Sequence, residues 1–297
     1  MKFSQPVSYL LYVQDMDEQL RRCCWREFAV NGAKHIVLNA KMISAIMHNP
    51  GLEKTLAKEL ADEGLSFCDA HAPYGVHWDL NCTFEEERPA LAVRMQLEVA
   101  IAASLGIKTM TVHVGTDHLF PEVPFEKHFS RSCALLEIML KAAEKYNVIL
   151  AIENGWTQTT CTDTLLALRD KFASANLGFC LDSGHANIMD NGRLHTQGEA
   201  YSRWQAIGID PPRWEKLEER MKRMLPDIVN CHLHDNFGDK DQHNLPGRGN
   251  VNWQTVLELL SRAPRLQVIQ SEVNIYRNAL SIGETVKAFD KLLTEGC

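Results

Sequence analysis

The chain has 297 residues, 45% of them hydrophobic and 23% charged, a length that suits one large α/β barrel or two small domains. Its net charge is −7 and it holds no run of Lys or Arg, so tight non-specific binding to a phosphate backbone is not expected. No apolar run approaches the roughly 18 residues of a membrane span, and the first residues lack the apolar core and cleavage site of a signal peptide.

Taken in chain order, short β-branched runs alternate with longer amphipathic stretches. The strand candidate VSYLLYV precedes the helical DMDEQLRRCCWREFAVNG, and HIVLN precedes GLEKTLAKELADEG, whose leucines and alanines fall at helical spacing up to Gly64. LSFCDAH leads to RPALAVRMQLEVAIAASLG, IKTMTVH to EKHFSRSCALLEIMLKAAEKYN, and VILAIE to CTDTLLALRDKF. LGFCLD opens a longer polar stretch that ends in WEKLEERMKRM; IVNCHLH precedes WQTVLELLSRA, and LQVIQSE precedes SIGETVKAFDKLL. Eight strand–helix units predict an all-parallel sheet closed into a single (β/α)8 TIM barrel over residues 1–297. A doubly wound open sheet is the alternative, but the glycine-rich phosphate turn that announces it after the first strand is missing. The stretch from Ala186 to about Arg213, with Trp204 and the pair Pro211 and Pro212, reads as an insertion after strand 6 covering the C-terminal mouth.

The nine cysteines include no CxxC pair and only the adjacent Cys23 and Cys24. A disulfide framework or zinc knuckle is not supported, and reduced, mostly buried thiols in a cytoplasmic protein are expected.

Potential ligands stand at the predicted strand ends. The third strand ends in His71, the fourth in His113, the fifth in Glu153, the sixth in Asp182, the seventh in His232 and His234, and the eighth in Glu272. In a barrel these ends converge on one mouth, where the chemistry of the fold sits. A lone histidine there is ordinarily a hydrogen-bonded core residue, and a lone glutamate an ion-pair partner. Six on successive strands would each need a separate buried partner, whereas one shared divalent cation satisfies them together. Spacing agrees: Asp182 and His185 lie at i and i+3, His232 and His234 two apart on a strand, and Asp241 and His243 repeat that step in the next loop. The dense segment CHLHDNFGDKDQH thus reads as one wall of a metal site.

The motifs HAPY, TVHVG, AIENGW, LDSGHAN, HLHDN, DQHNLPGRGNVNW and QSEVN, one per strand end, make the chain resemble the xylose-isomerase-like barrel superfamily of sugar isomerases, epimerases and endonuclease IV. In sugar epimerases of that group one Mn, Co, Mg or Zn ion is held by Glu, Asp, His and Glu. Matched by motif, these positions are Glu153, Asp182, His232 and Glu272, and the two glutamates also move the substrate proton. The three-zinc pattern of the nuclease matches further at His71, His113, His185, Asp241 and His243. Within HLHD the resemblance puts the ligand at His232, because Asp235 then falls on the acidic position that follows; a His-x-ligand pattern would put it at His234.

The expected activity is metal-dependent isomerisation or epimerisation of a sugar, keto-sugar or related polyol through an enediolate. The ion would stabilise the oxygen charge while Glu153 and Glu272 remove and return the proton. Trp156 would stack on a sugar face or pack at the rim, and Arg248 is a substrate-binding candidate. Mixed His and carboxylate donors suit Mn, Co or Zn better than Mg. The rival activities are a lyase acting on 3-oxo-glycosides by the same enolate chemistry and a multinuclear zinc phosphodiester hydrolase; a non-catalytic binding protein is the rival outside catalysis. A small sugar is the expected partner, with no nucleic acid and no membrane, and a homo-oligomer is an allowed assembly.

Overall fold

The computed structural model describes residues 3–13 and 15–295. Eight parallel strands close into a barrel in chain order: β1 (Val7–Tyr9), β2 (His35–Leu38), β3 (Ser66–His71), β4 (Thr109–Val112), β5 (Ile149–Glu153), β6 (Leu177–Asp182), β7 (Ile228–Leu233) and β8 (Val268–Ser271). The seam joins β1 to β8 through Val7 with Ile269, Ser8 with Gln270 and Tyr9 with Ser271.

Outside the strands run α1 (Glu18–Val30), α2 (Ala40–His48), α3 (Gly51–Asp62), α4 (Arg88–Ser104), α5 (Phe125–Tyr146), α6 (Thr162–Phe172), α7 (Ser183–Asn191), α8 (Glu199–Ala206), α9 (Leu217–Met224), α10 (Trp253–Leu260) and α11 (Ile282–Glu295). Their apolar faces and the outward sides of the strands form one core that includes Trp25, Phe28, Phe67 and Phe289. α3 stops where the sequence indicates. Gly64 takes φ +73°, and the Leu65 and Gly64 amides donate to the Leu60 and Ala61 carbonyls, a Schellman ending that delivers the chain straight into β3.

Two details depart from the sequence reading. VSYLLYV is a strand only to Tyr9, because the Leu11 carbonyl is taken at 2.9 Å by the Asn39 side-chain amide instead of a ladder partner. The same Asn39 accepts from the Lys41 and Met42 amides and so caps α2, a helix that the strand–helix count had passed over.

The insertion after β6 is helical. α7 and α8 bring Ile188, Met189, Ala200 and Trp204 into a separate apolar cluster with Trp156 and Cys161 from the loop after β5. Trp204 is fully buried, and its Nε1 donates to the Trp156 carbonyl at 3.0 Å. This places α8 over one side of the mouth. Among the described residues no helix is long and apolar enough to cross a membrane, and the eight cysteines are free thiols, five of them buried.

Candidate metal centre

The parallel register brings the strand ends to one level. Asp182 pairs with His232 across β6 and β7, and Glu153, His71 and Asp182 are the last residues of their strands. His113, His234 and Glu272 follow their strands by one residue. All open on, or lie just beneath, a cavity of about 550 Å³ at the C-terminal mouth.

Two knots of side chains form there. In the first, His71, Glu153, His232 and Glu272 each offer a ligand atom within 4.8 Å of the others. His232 Nδ1 stands 2.7 Å from Glu153 Oε1 and 3.2 Å from Glu272 Oε2. His71 Nε2 lies 3.8 Å from Glu153 Oε2 and 3.9 Å from Glu272 Oε1, and His113 Nε2 lies 2.7 Å from Glu153 Oε2. In the second, His185, His234, Asp241 and His243 converge in the same way. His243 Nε2 is 2.9 Å from Asp241 Oδ2, and His185 Nε2 is 3.6 Å from the same oxygen. Asp182 stands between the knots, with Oδ2 3.0 Å from His234 Nε2 and 3.9 Å from His232 Nδ1.

The outer nitrogens of three rings are committed elsewhere. The Nδ1 atoms of His71, His185 and His243 donate to the carbonyls of Ala72, Asn154 and Glu272 at 2.8, 2.8 and 2.7 Å. A carbonyl only accepts, so Nδ1 keeps its proton in every state, and a ring that is neutral, as His71 is and as His185 and His243 become on giving up a proton to a cation, has its lone pair on the Nε2 that points into the knots, the tautomer a metal ligand needs. Donor atoms around a tetrahedral zinc stand roughly 3.4 Å apart, given metal–ligand distances of about 2.1 Å. Separations of 3.6 to 3.9 Å between His71 or His185 and their carboxylates are too long for hydrogen bonds and near that spacing. Asp241 Oδ1 and His234 Nδ1 are buried and make no hydrogen bond. The donor set and its orientation fit a divalent cation.

Charge in the site is strongly coupled. Burial alone would raise the Glu153 carboxyl, but the His232 and His113 rings hold it well below the ordinary range. Burial likewise opposes ionisation of Glu272 and Asp241, and is outweighed by His232 for the first and by His243 and His185 for the second. Burial would lower His185 and His243, yet Asp182 and Asp241 carry His185 up to about 10, and Asp241 carries His243 up to about 9. His71 differs: burial and the neighbouring His113 bring it down to about 4, so it is neutral. Four carboxylates that must share protonated histidines when alone would share a cation when one is bound.

Local sequence explains the precision. Asp182 caps α7 by accepting the His185 amide at 2.6 Å, so ligand and cap are one residue. Asn154 clamps β5 to β6, accepting from the Asp182 amide at 2.8 Å and donating to the Asp182 carbonyl at 3.0 Å. Asp235 accepts from the Gly247 and Val251 amides and from Trp253 Nε1, which pins the LPGRGNVNW loop beneath the second knot.

Trp156 both packs and lines the cavity: it belongs to the α7–α8 cluster and stands edge-on to His185 with centroids 4.4 Å apart. Arg248 is exposed and does not line the cavity. Arg203 of α8 does, with its guanidinium carbon 4.4 Å over the Trp156 ring, as do Lys41, Tyr12 and Tyr74. The sequence reading gave these four no role: Tyr74 lies in HAPY and Tyr12 in the first strand candidate, where neither was singled out, and Lys41 and Arg203 lie in helices that carry no motif, with the helical i, i+4 pairing of Glu199 and Arg203 the one local signal for the last.

Comparisons with known proteins agree with this architecture. The family model described as xylose isomerase-like TIM barrel matches residues 36–286. An uncharacterized protein of Methanocaldococcus jannaschii is 29% identical over 239 residues, 76% of this chain and 70% of that protein. Among solved structures, a D-tagatose 3-epimerase-like protein superposes with a TM-score of 0.72 at 19% identity over 99% of both chains. A D-psicose 3-epimerase crystallised in the presence of D-fructose gives 0.71 at 14% identity over 100% of both.

Proposed function

Because this chain belongs to the xylose isomerase-like TIM-barrel family, we propose that it is a divalent-metal-dependent isomerase or epimerase of a sugar or keto-sugar. The observation that carries this reading is the placement of two glutamates, Glu153 and Glu272, against one histidine, His232, at a cavity of about 550 Å³, within the range of small-molecule sites. Glu153, Asp182, His232 and Glu272 would hold the ion, preferably Mn, Co or Zn, with His71 and His113 beside them. When bound, the ion supplies a Lewis acid for the negative charge that builds on a substrate oxygen.

The chain's own residues account for the rest. Glu153 and Glu272 are both held in the ionised state, as a base requires, and in this reading they take a proton from the carbon beside the carbonyl and return it. Neutral His71 is suited to a ligand or a hydrogen bond to a substrate hydroxyl. Trp156, with Arg203 stacked on it, would cover the substrate on the side of α8 and exclude water.

The test is α-hydrogen exchange. Metal-loaded protein incubated with a panel of ketoses and keto-sugars in deuterated water should place deuterium at the carbon beside the carbonyl, read by NMR. A metal-loaded protein that exchanges none of them sinks the reading.

One observation favours a second activity: the His185, His234, Asp241 and His243 knot could hold a further ion, as a multinuclear phosphodiester hydrolase requires. Against it stands the net charge of −7. Cleavage of an abasic-site duplex at about 150 mM salt would promote this second reading.

A further inference from the structure

The layer of side chains directly below the ligands is polar, unlike the bulky apolar filling usual for this barrel. Side chains two apart on a strand share a face, so Asp69, Asn230 and Gln270 point into the barrel beneath His71, His232 and Glu272. All three are fully buried.

A connected path crosses this layer. Asn230 Nδ2 donates to Asp69 Oδ2 at 3.5 Å and to Thr111 Oγ1 at 3.2 Å, and Thr111 Oγ1 lies 3.2 Å from His232 Nε2. The direction of the last bond follows from the other ring nitrogen. His232 Nδ1 faces Glu153 and Glu272, so a metal there needs its lone pair, and the ring proton must then sit on Nε2. Thr111 Oγ1 is the acceptor provided. Asn230 occupies one of its lone pairs and leaves the second for the ring N–H. Asp69, as a carboxylate, only accepts, and thereby selects which end of the Asn230 amide faces it. The opposite arrangement, with Thr111 donating to Nε2, would put the ring proton on Nδ1, where the cation has to bind.

We propose that Asp69, Asn230 and Thr111 form a hydrogen-bonded column inside the barrel that holds His232 in its Nε2–H form and so prepares Nδ1 for a divalent ion. None of the three lines the cavity, so they are positioning residues. The proposal rests on the metal reading above and adds to it the part of the chain that selects the ligand's tautomer.

Zinc affinity measured by chelator competition tests it. Thr111→Val should weaken binding about 10–100-fold, the usual effect of losing an outer partner of a metal ligand, while Thr111→Ser should bind like the native protein. Asn230→Ala should weaken binding in the same direction. The double variant Thr111→Val/Asn230→Ala should bind no more weakly than Thr111→Val alone, because one column cannot be broken twice, whereas independent packing defects would add. Native affinity in Thr111→Val, or additive losses, overturns the column. Should Thr111→Val not fold, Asn230→Ala decides alone: native affinity there overturns it. A native protein that binds no zinc, cobalt or manganese is a different result, and removes the metal reading itself.

Discussion

Gly184 leaves the space that the His234 ring fills: a methyl group at Gly184 would stand 2.0 Å from His234 Cε1 and 2.6 Å from its Nδ1. His234 is fully buried and bonded to Asp182, so the ring has nowhere to retreat. Gly184→Ala should therefore destabilise the protein by about 1–3 kcal/mol, the range for overpacking a core, and displace both His234 and Asp182. Thermal unfolding together with metal analysis checks this. An unchanged melting temperature and full metal content would contradict it.

Asp182 has two separable duties. Asp182→Ala removes the cap of α7, at a cost of about 0.5–2 kcal/mol, and the charge beside His232 and His234. Asp182→Asn keeps a good capping residue and loses only the charge. Both variants should lose metal in elemental analysis, but only the alanine variant should melt clearly lower.

The glutamate pair is tested by Glu153→Gln and Glu272→Gln. Each keeps the shape and abolishes the base, so a variant reloaded with metal should lose roughly 10²–10⁴ in rate. Gln is a weaker ligand, and metal content must be matched before the rates are compared. Full activity in both loaded variants would transfer the proton to a histidine.

Stability of the metal-free protein should depend on pH in a defined sense. His243 is raised to about 9 and His185 to about 10 when folded, against an ordinary value near 6.5. A raised folded value means that their stabilisation is fully present below about 6.5 and is lost as pH rises through 9 to 10, when Asp182 and Asp241 lose their positive partners. Denaturant midpoints of chelator-treated protein should accordingly fall between pH 7 and pH 10. Bound metal replaces those protons, so the loaded protein should show a flatter profile and release protons on loading.

Much of this was readable in the residues because a barrel converts position into proximity. His71, Glu153, Asp182 and His232 lie inside strands and His113, His234 and Glu272 just past them, so knowing the strand ends was enough to gather them. The partition into two knots was not readable, since it depends on where the loop carrying Asp241 and His243 folds back, and that is fixed by hydrogen bonds to Asp235. The column under His232 was equally hidden. Thr111, Asn230 and Asp69 each stand two residues before a predicted site histidine, which puts them on the inward face, but they come from three strands, and only the folded register brings them into line with one another. Arg203 came from an insertion that is positioned by the packing of Trp204 in its own apolar cluster, a tertiary contact that the weak local pairing of Glu199 with Arg203 does not reveal.

The hydrogen bond from Trp204 to the Trp156 carbonyl bears on the wall of the mouth. It ties α8 to the loop that follows β5, with both indole rings buried in the same apolar cluster, so the insertion forms part of the wall on that side. Tyr74 and Tyr276 also line the cavity and are 48% and 54% exposed, so part of its rim is aromatic and open to solvent. A half-exposed tyrosine offers a flat apolar face with a polar tip, so a molecule seated at this rim would meet aromatic surface as well as the charged groups below.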